Sequence, residues 1–191
     1  MPESYRENEI YDNIDFRTDP ISGDEYEGCT FKNCNFSEQD LSGLRYIDCK
    51  FEGCNLGMVK IHGTSFQNIK FMDCKMLGMR FYVCDRFCLS FSFENCQLNY
   101  ASFFRTKIKK TSFRNCMLQE ADFSECDISG SVFDNCNLGG AVFLSTNLEK
   151  ADLRTAFNYS IDPEANKIKK ARFSISGLPG LLDKYNIDID L

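Results

Sequence analysis

The sequence predicts an all-β solenoid, a chain wound into coils that stack and share one core. The first observation is a large apolar residue at every fifth position. One series runs Phe31, Phe36, Leu41, Tyr46, Phe51, Leu56, Ile61, Phe66, Phe71, Met76 and Phe81; a second runs Phe93, Leu98, Phe103, Ile108, Phe113, Leu118, Phe123, Ile128, Phe133, Leu138, Phe143, Leu148 and Leu153. All 24 are apolar in a chain that is 43% apolar, a coincidence on the order of one in a billion, and five is neither a helical nor a strand period. The second observation is that the residue two before each centre is usually small, as at Cys29, Cys34, Cys49, Cys54, Thr64, Cys74, Cys96, Ala101, Cys116, Ala121, Cys126, Ser131, Cys136 and Ala151.

These units, as in CysAsnPhe34–36, CysAsnLeu54–56, AlaAspPhe121–123, CysAsnLeu136–138 and AlaAspLeu151–153, resemble the A(D/N)LXX signature of the pentapeptide-repeat family over about three quarters of the chain. The resemblance implies a right-handed quadrilateral β-helix with four pentapeptides per turn, centre and small residues inward and the other three outward. Such turns cannot bury their apolar sides singly, so they stack and pair backbone groups about 4.8 Å apart. Ladders should then recur every 20 residues, and they do: Cys34, Cys54, Cys74; Cys96, Cys116, Cys136; Phe93, Phe113, Phe133, Leu153, Phe173.

Taken in order, residues 1–28 are an acidic N-terminal segment that fits the repeat poorly, an irregular first turn in which Tyr11, Phe16, Ile21 and Tyr26 nevertheless share the phase. Residues 29–174 are the repeat region. Gln39, Leu44, Ile69, Met79 and Phe91 depart from the small-residue rule and predict wider corners there, and between Phe81 and Phe93 the register slips by two, predicting a bulge over 82–92. The pattern fades at Asn158 and Pro163, but Ile168 and Phe173 return to the ladders, so Ser160 to Asn166 closes one more turn.

Residues 175–191 change character. Leu178, Leu181, Leu182 and Tyr185 have the i, i+3, i+4, i+7 spacing of a short amphipathic helix, with Pro179 tolerable in its first turn, and Ile187, Ile189 and Leu191 alternate like an edge strand. A terminal helix covers the open end of a solenoid, and an apolar one can also bury itself against its twin in a two-fold dimer. The stretch from AlaAspLeu151–153 through GlyLeuLeuAspLysTyr180–185 resembles the C-terminal end of Qnr- and MfpA-like pentapeptide proteins, which implies a homodimer contact through Leu178, Leu181, Leu182 and Tyr185.

Composition narrows the function. Of eleven cysteines nine stand at the small inward position and none forms a CxxC pair, so they read as compact core residues rather than ligands or disulfides. There is one histidine, His62, and the inward positions are filled by Phe, Leu and Cys, so no catalytic, cofactor or metal site is expected and function falls to the outer wall. No apolar run is long enough to span a bilayer and the start is polar and acidic, which predicts a cytoplasmic protein with no membrane partner. A regular exposed threonine array, as ice binding would need, is missing from the mixed outward positions.

Charge suggests where a partner would sit. Residues 1–27 hold nine acidic and two basic side chains, so the remainder of this −6 chain sums to +1. Within it, Arg45 to Arg114 carries twelve basic and five acidic residues, whereas Glu120 to Glu164 carries nine acidic and two basic. Resemblance to Qnr and MfpA implies a DNA mimic for DNA gyrase or topoisomerase IV, led by Glu120, Asp122, Glu125, Asp127 and Asp134, with reduced quinolone susceptibility as its readout. A scaffold for another protein partner uses the same rigid wall, and the lack of long Qnr-type projecting loops favours it. Turn chemistry also accounts for Asp122, Asp127 and Asp152, which precede their centres, where short polar side chains bond the backbone. The basic stretch, with Lys50 and Lys70, and Lys60 and Arg80, at ladder spacing, has no interleaved exposed aromatics in this reading, so direct nucleic-acid binding is not expected.

Overall fold

Twenty residues per coil place residue i beside residue i+20, and the backbone pairs in that register on either side of the slip and at i+22 across it, as Phe71 with Phe93 and Arg80 with Ser102, in the computed structural model, which describes residues 5–87 and 89–189. Cys88 in the predicted bulge and Leu191 in the predicted edge strand lie outside the described residues, as do residues 1–4 and 190. The architecture is a right-handed parallel β-solenoid with four walls. The first wall is a seven-stranded parallel sheet running in order Ile10–Asp12, Thr30–Lys32, Lys50–Glu52, Ile69–Met72, Phe91–Glu94, Ser112–Arg114 and Val132–Asp134. The fourth wall opens as a four-stranded sheet, Tyr5–Glu7, Glu25–Glu27, Arg45–Ile47 and Ser65–Gln67. The second and third walls are narrower and pair through single bridges, such as Asn35 with Asn55 and Ser102 with Asp122.

The centres meet on the axis as columns of rings. On the first wall Tyr11, Phe31, Phe51, Phe71, Phe93, Phe113 and Phe133 stack with centroids 4.8 to 5.3 Å apart. Phe81, Phe103, Phe123 and Phe143 do the same on the third, 4.7 to 5.2 Å apart. Ring spacing here is the strand spacing, so backbone pairing and offset stacking favour the same rise. Between columns the rings meet edge to face, Phe113 standing at 90° to Phe123 and 85° to Phe103.

Cysteine fills the corners for a reason beyond size. The thiol of Cys54 donates to the carbonyl of Phe31 (3.3 Å), Cys74 to Phe51 (3.3 Å), Cys96 to Phe71 (3.4 Å) and Cys136 to Phe113 (3.4 Å), always 23 to 25 residues back. Thr64 and Thr146 use a hydroxyl in the same way, on Leu41 and Phe123, both at 2.8 Å. A small side chain with one donor therefore serves inward carbonyls that the ladder alone leaves with spare capacity. All ten described cysteines are buried, and burial pushes the thiols of Cys49, Cys84 and Cys126 up to about 12. Since the thiolate is the reactive form, we expect no more than one of the eleven cysteines to react with Ellman's reagent in the native protein and all eleven in guanidinium. Rapid native reaction of three or more would place thiols outside the core.

Corners are turned by the residue two past each centre, which takes positive φ: Asn33 50°, Asn95 54°, Asn115 51°, Asn135 52° and Gly53 64°. Asn and Gly bear this conformation at low cost. At one corner the amides link the coils, Asn135 donating to Asn115 (2.9 Å), Asn115 to Asn95 (3.0 Å) and Asn95 to the Asp73 carboxylate (3.0 Å).

The departures from pattern have identifiable outcomes. Ile69 and Phe91, too large for a tight corner, are buried opposite each other and extend their strands to four residues. The slip falls on the fourth wall, where it ends the four-stranded sheet; Phe81–Val83 is a 3-10 turn, Cys84 and Leu89 turn inward, and Phe87 stands 77% exposed. The segment read as an irregular first turn joins both sheets through Tyr5–Glu7 and Ile10–Asp12, because Tyr11, Phe16 and Tyr26 supply its rings. The closing turn is held by Asn166, whose amide donates to Phe143 and Asp162 carbonyls and accepts from the Thr146 N–H.

The C-terminus is shorter in helix than its spacing suggests. The α-helix is one turn, Pro179–Leu182, between 3-10 turns Ile175–Gly177 and Asp183–Tyr185, since Gly177 and Gly180 disfavour a longer one. Ile187 and Ile189 form no strand.

Candidate interaction surface

The five acidic candidates do not form one patch. Asp122 lies on the third wall, Asp127 on the fourth and Asp134 on the first, while Glu120 and Glu125 occupy corner positions with φ of 55°. Each coil offers a cation to the next. Arg105 makes a bidentate pair with Glu125 (2.7 and 2.9 Å), Lys109 lies 3.1 Å from Asp127, and Arg114 reaches Asp134 at 3.5 Å. The Arg105 guanidinium draws the Glu125 carboxyl below its ordinary range. Asp122, Asp127 and Asp152 accept from the backbone N–H of Ser124, Ser129 and Arg154, the turn chemistry expected of them. Three of the five carboxylates are thus partly neutralised by neighbours that are themselves solvent-exposed, which weakens the field that a DNA mimic needs.

The C-terminal candidates share one short segment but not one environment. Leu181 is half-buried and packs against the core, whereas Leu178 (45%), Leu182 (37%) and Tyr185 (53%) face outward beside exposed Ile175 and Ile187. The segment is docked by a hydrogen bond from the Ile161 N–H to the Gly180 carbonyl (2.8 Å) and by Lys184, which lies 2.8 Å from Asp162 and 2.6 Å from Glu164. Those two carboxylates are held below their ordinary range by the Lys184 ammonium.

A feature that sequence reasoning missed lies on the third wall. Its upper outward row reads Asp40, Lys60, Arg80, Ser102, Asp122 down successive coils, and beside it stand His62, Tyr82 and Phe104. Met58 (66% exposed), Tyr100 (56% exposed) and the 3-10 turn complete an open groove of about 1050 Å³. Tyr82 and Phe104 meet edge-on with centroids 6.3 Å apart, and the Arg105 guanidinium lies 4.7 Å over the Phe104 ring. The expectation that the basic stretch lacks exposed aromatics is corrected: Tyr100 is exposed, and Tyr82 and Phe104, both half-buried, line the groove with Lys60 and Arg80. The signal was present as aromatics at outward positions around the register slip, where a five-residue reading looks inward. Among the described residues no helix is long and apolar enough to cross a membrane.

Comparison with known proteins agrees with this architecture. A model described as pentapeptide repeat region matches residues 25–103, and one described as pentapeptide repeats (8 copies) matches 96–135 and 121–157. No curated protein is matched. Among solved structures, a trypsin-treated form of QnrB1, a plasmid-mediated fluoroquinolone resistance protein, superposes with a TM-score of 0.64 at 20% identity, covering 98% of this chain and 99% of that one. Full-length QnrB1 gives 0.54 at 21% identity, covering 96% and 100%. HetL, a pentapeptide repeat protein involved in heterocyst differentiation regulation in the cyanobacterium Nostoc, gives 0.48 at 11% identity, covering 91% and 87%. At such identities the likeness is one of fold. With five-residue centres stacked every 20 residues, four parallel walls and repeat models matched from residue 25 to 157, the chain belongs to the pentapeptide-repeat family.

Proposed function

We propose that this protein is a non-enzymatic interaction module that binds another protein through its outer wall and pairs with a second copy through the C-terminal patch. The observation that carries this reading is the packing of the axis: the centres and most of the small residues two before them are buried, and chemistry-bearing side chains stand outside on a rigid frame. A rigid wall loses little conformational entropy on binding, which favours recognition by surface complementarity. Exposed Leu178, Leu182 and Tyr185 support the homodimer. The first reading is a partner other than a topoisomerase, because Glu125, Asp127 and Asp134 already face cations of this chain.

A second reading, a dimeric DNA mimic for gyrase or topoisomerase IV that lowers quinolone susceptibility, is favoured by the acidic run 120–164 adjoining the C-terminal patch, and by the fold shared with QnrB1. One experiment separates the two. Protein capture from lysate is compared between the native chain and an Asp122→Lys/Glu125→Lys/Asp127→Lys variant, alongside a gyrase supercoiling assay with both. A reproducible partner lost on reversal, with supercoiling untouched, is expected; inhibition of supercoiling that the variant loses would establish the second reading instead. Capture unchanged by reversal would remove these carboxylates from the interface.

A further inference from the structure

We infer that the groove on the third wall is a receptor for a short acidic peptide segment of the partner protein, with carboxylates on Lys60 and Arg80 and an apolar side chain on Met58, Tyr82, Tyr100 and Phe104. This inference rests on the interaction-module reading and names the chemistry of one partner element.

The groove combines charge with apolar surface. Several cations of the wall are ion-paired, as Arg45 with Glu25, Arg105 with Glu125 and Arg154 with Asp152, and others, such as Lys50 and Lys70 in register on the first wall, make no ion pair among the described residues; Lys60 and Arg80 differ from these in lining the groove with Met58, Tyr82, Tyr100 and Phe104. Lys60 and Arg80 have no ion pair within 4.0 Å among the described residues, although Asp40 adjoins Lys60 on the same row. Twenty residues apart, they occupy successive coils, so their backbones are separated by roughly 5 Å. Two unpaired cations at that spacing, beside exposed Tyr100 and half-buried Tyr82 and Phe104, are complementary to a carboxylate-bearing segment with a neighbouring apolar residue.

The length of the positive strip identifies the ligand as a peptide rather than a nucleic-acid strand. Asp40 precedes Lys60, and Asp122 follows one coil after Ser102, so the row is cationic for two coils and closed by a carboxylate at each end. A polynucleotide tracking its phosphates along the wall would meet Asp40 or Asp122 within a few steps and then the acidic runs 1–27 and 120–164. A peptide with one or two carboxylates ends where the cations end. The 3-10 turn Phe81–Val83, where the register begins to slip, contributes Tyr82 and Val83 to the lining.

The test uses the full chain and a fluorescein-labelled, end-blocked peptide alternating aspartate with phenylalanine and leucine, read by fluorescence anisotropy. An asparagine version of the peptide and a 12-mer of oligothymidylate are the comparators. We expect the aspartate peptide to bind, Lys60→Glu/Arg80→Glu to weaken it by about tenfold or more, and Lys50→Glu/Lys70→Glu, the same charge change on the first wall, to leave it within about twofold. Circular dichroism of both variants verifies the fold. Equal losses in the two variants, equal binding of the asparagine peptide, tighter binding of oligothymidylate, or no binding up to about 1 mM would each overturn the assignment. Should the peptide fail while reversal of Asp122, Glu125 and Asp127 still abolishes partner capture, the groove falls and the interaction module stands.

Discussion

Replacing Phe113 by alanine is expected to destabilise the protein by about 3–5 kcal/mol, the range for deleting a buried phenylalanine and leaving a cavity. The ring is fully buried, stacks on Phe93 (5.2 Å) and Phe133 (4.8 Å), and meets Phe103 and Phe123 edge-on. Collapse cannot close the gap, because the coils above and below are held apart by ladders at Phe113 itself and on either side of it. In a quasi-one-dimensional stack the loss falls on two nearest-neighbour interfaces at once. Urea unfolding should show a midpoint lowered by roughly 2 M with little change in slope. Phe113→Leu should lose less than half as much, and Tyr46→Phe should go the other way by about 1 kcal/mol, since the Tyr46 hydroxyl is buried without a hydrogen-bond partner. A loss under about 1 kcal/mol in the alanine variant would mean that the column is not the principal source of stability.

How far the sequence alone reaches can be judged from particular residues. Phe113 was legible because the period of five has no competitor: a side chain that recurs with that spacing has only one axis to share, and identity at the centre is set by burial. Cys54 was legible as core but not as a donor, because the carbonyl it serves belongs to Phe31, 23 residues earlier, and that offset follows only from coil geometry. The corner residues Asn33, Gly53, Asn95, Asn115 and Asn135 carried a readable signal, positive φ two past each centre, that is masked elsewhere by Glu, Lys and Arg in the same conformation. Glu125 and Asp127 read as free negative charge because net charge counts side chains without their partners, while Arg105 and Lys109 stand 20 and 18 residues away and meet them only through the stack. The helix was overestimated for a related reason: the spacing of Leu178, Leu181, Leu182 and Tyr185 is helical, but Gly177, Gly180 and docking on Tyr159 decide its length. The groove was not legible, since its lining, from Met58 and Lys60 to Tyr100 and Phe104, is drawn from successive coils that only the stack brings side by side.

Gly180→Val is expected to release the C-terminal segment from the last coil while leaving the solenoid wound. A Cβ at this position would run into the Tyr159 carbonyl oxygen and lie 2.9 Å from its ring Cδ2, so backbone as well as side chain would have to move. The same residue's carbonyl accepts from the Ile161 N–H, which means that any shift also breaks the bond that ties the two together. Overpacking of this kind costs about 1–3 kcal/mol, and a docked terminus of one helical turn has few other contacts to offset it. Local opening should therefore rise by roughly tenfold to a hundredfold and with it native trypsin cleavage at Lys184, whose ammonium is otherwise engaged by Asp162 and Glu164. Leu182→Asp provides the contrast: Leu182 faces outward, so docking and protease resistance should persist while light scattering reports the monomer mass. Gly180→Val should lose both, because an undocked segment cannot present Leu178, Leu182 and Tyr185 as one face. If Leu182→Asp keeps the dimer, the patch is a cap alone; if Gly180→Val remains as resistant to trypsin as the native chain, the contact with Tyr159 is not what holds the end of the coil closed.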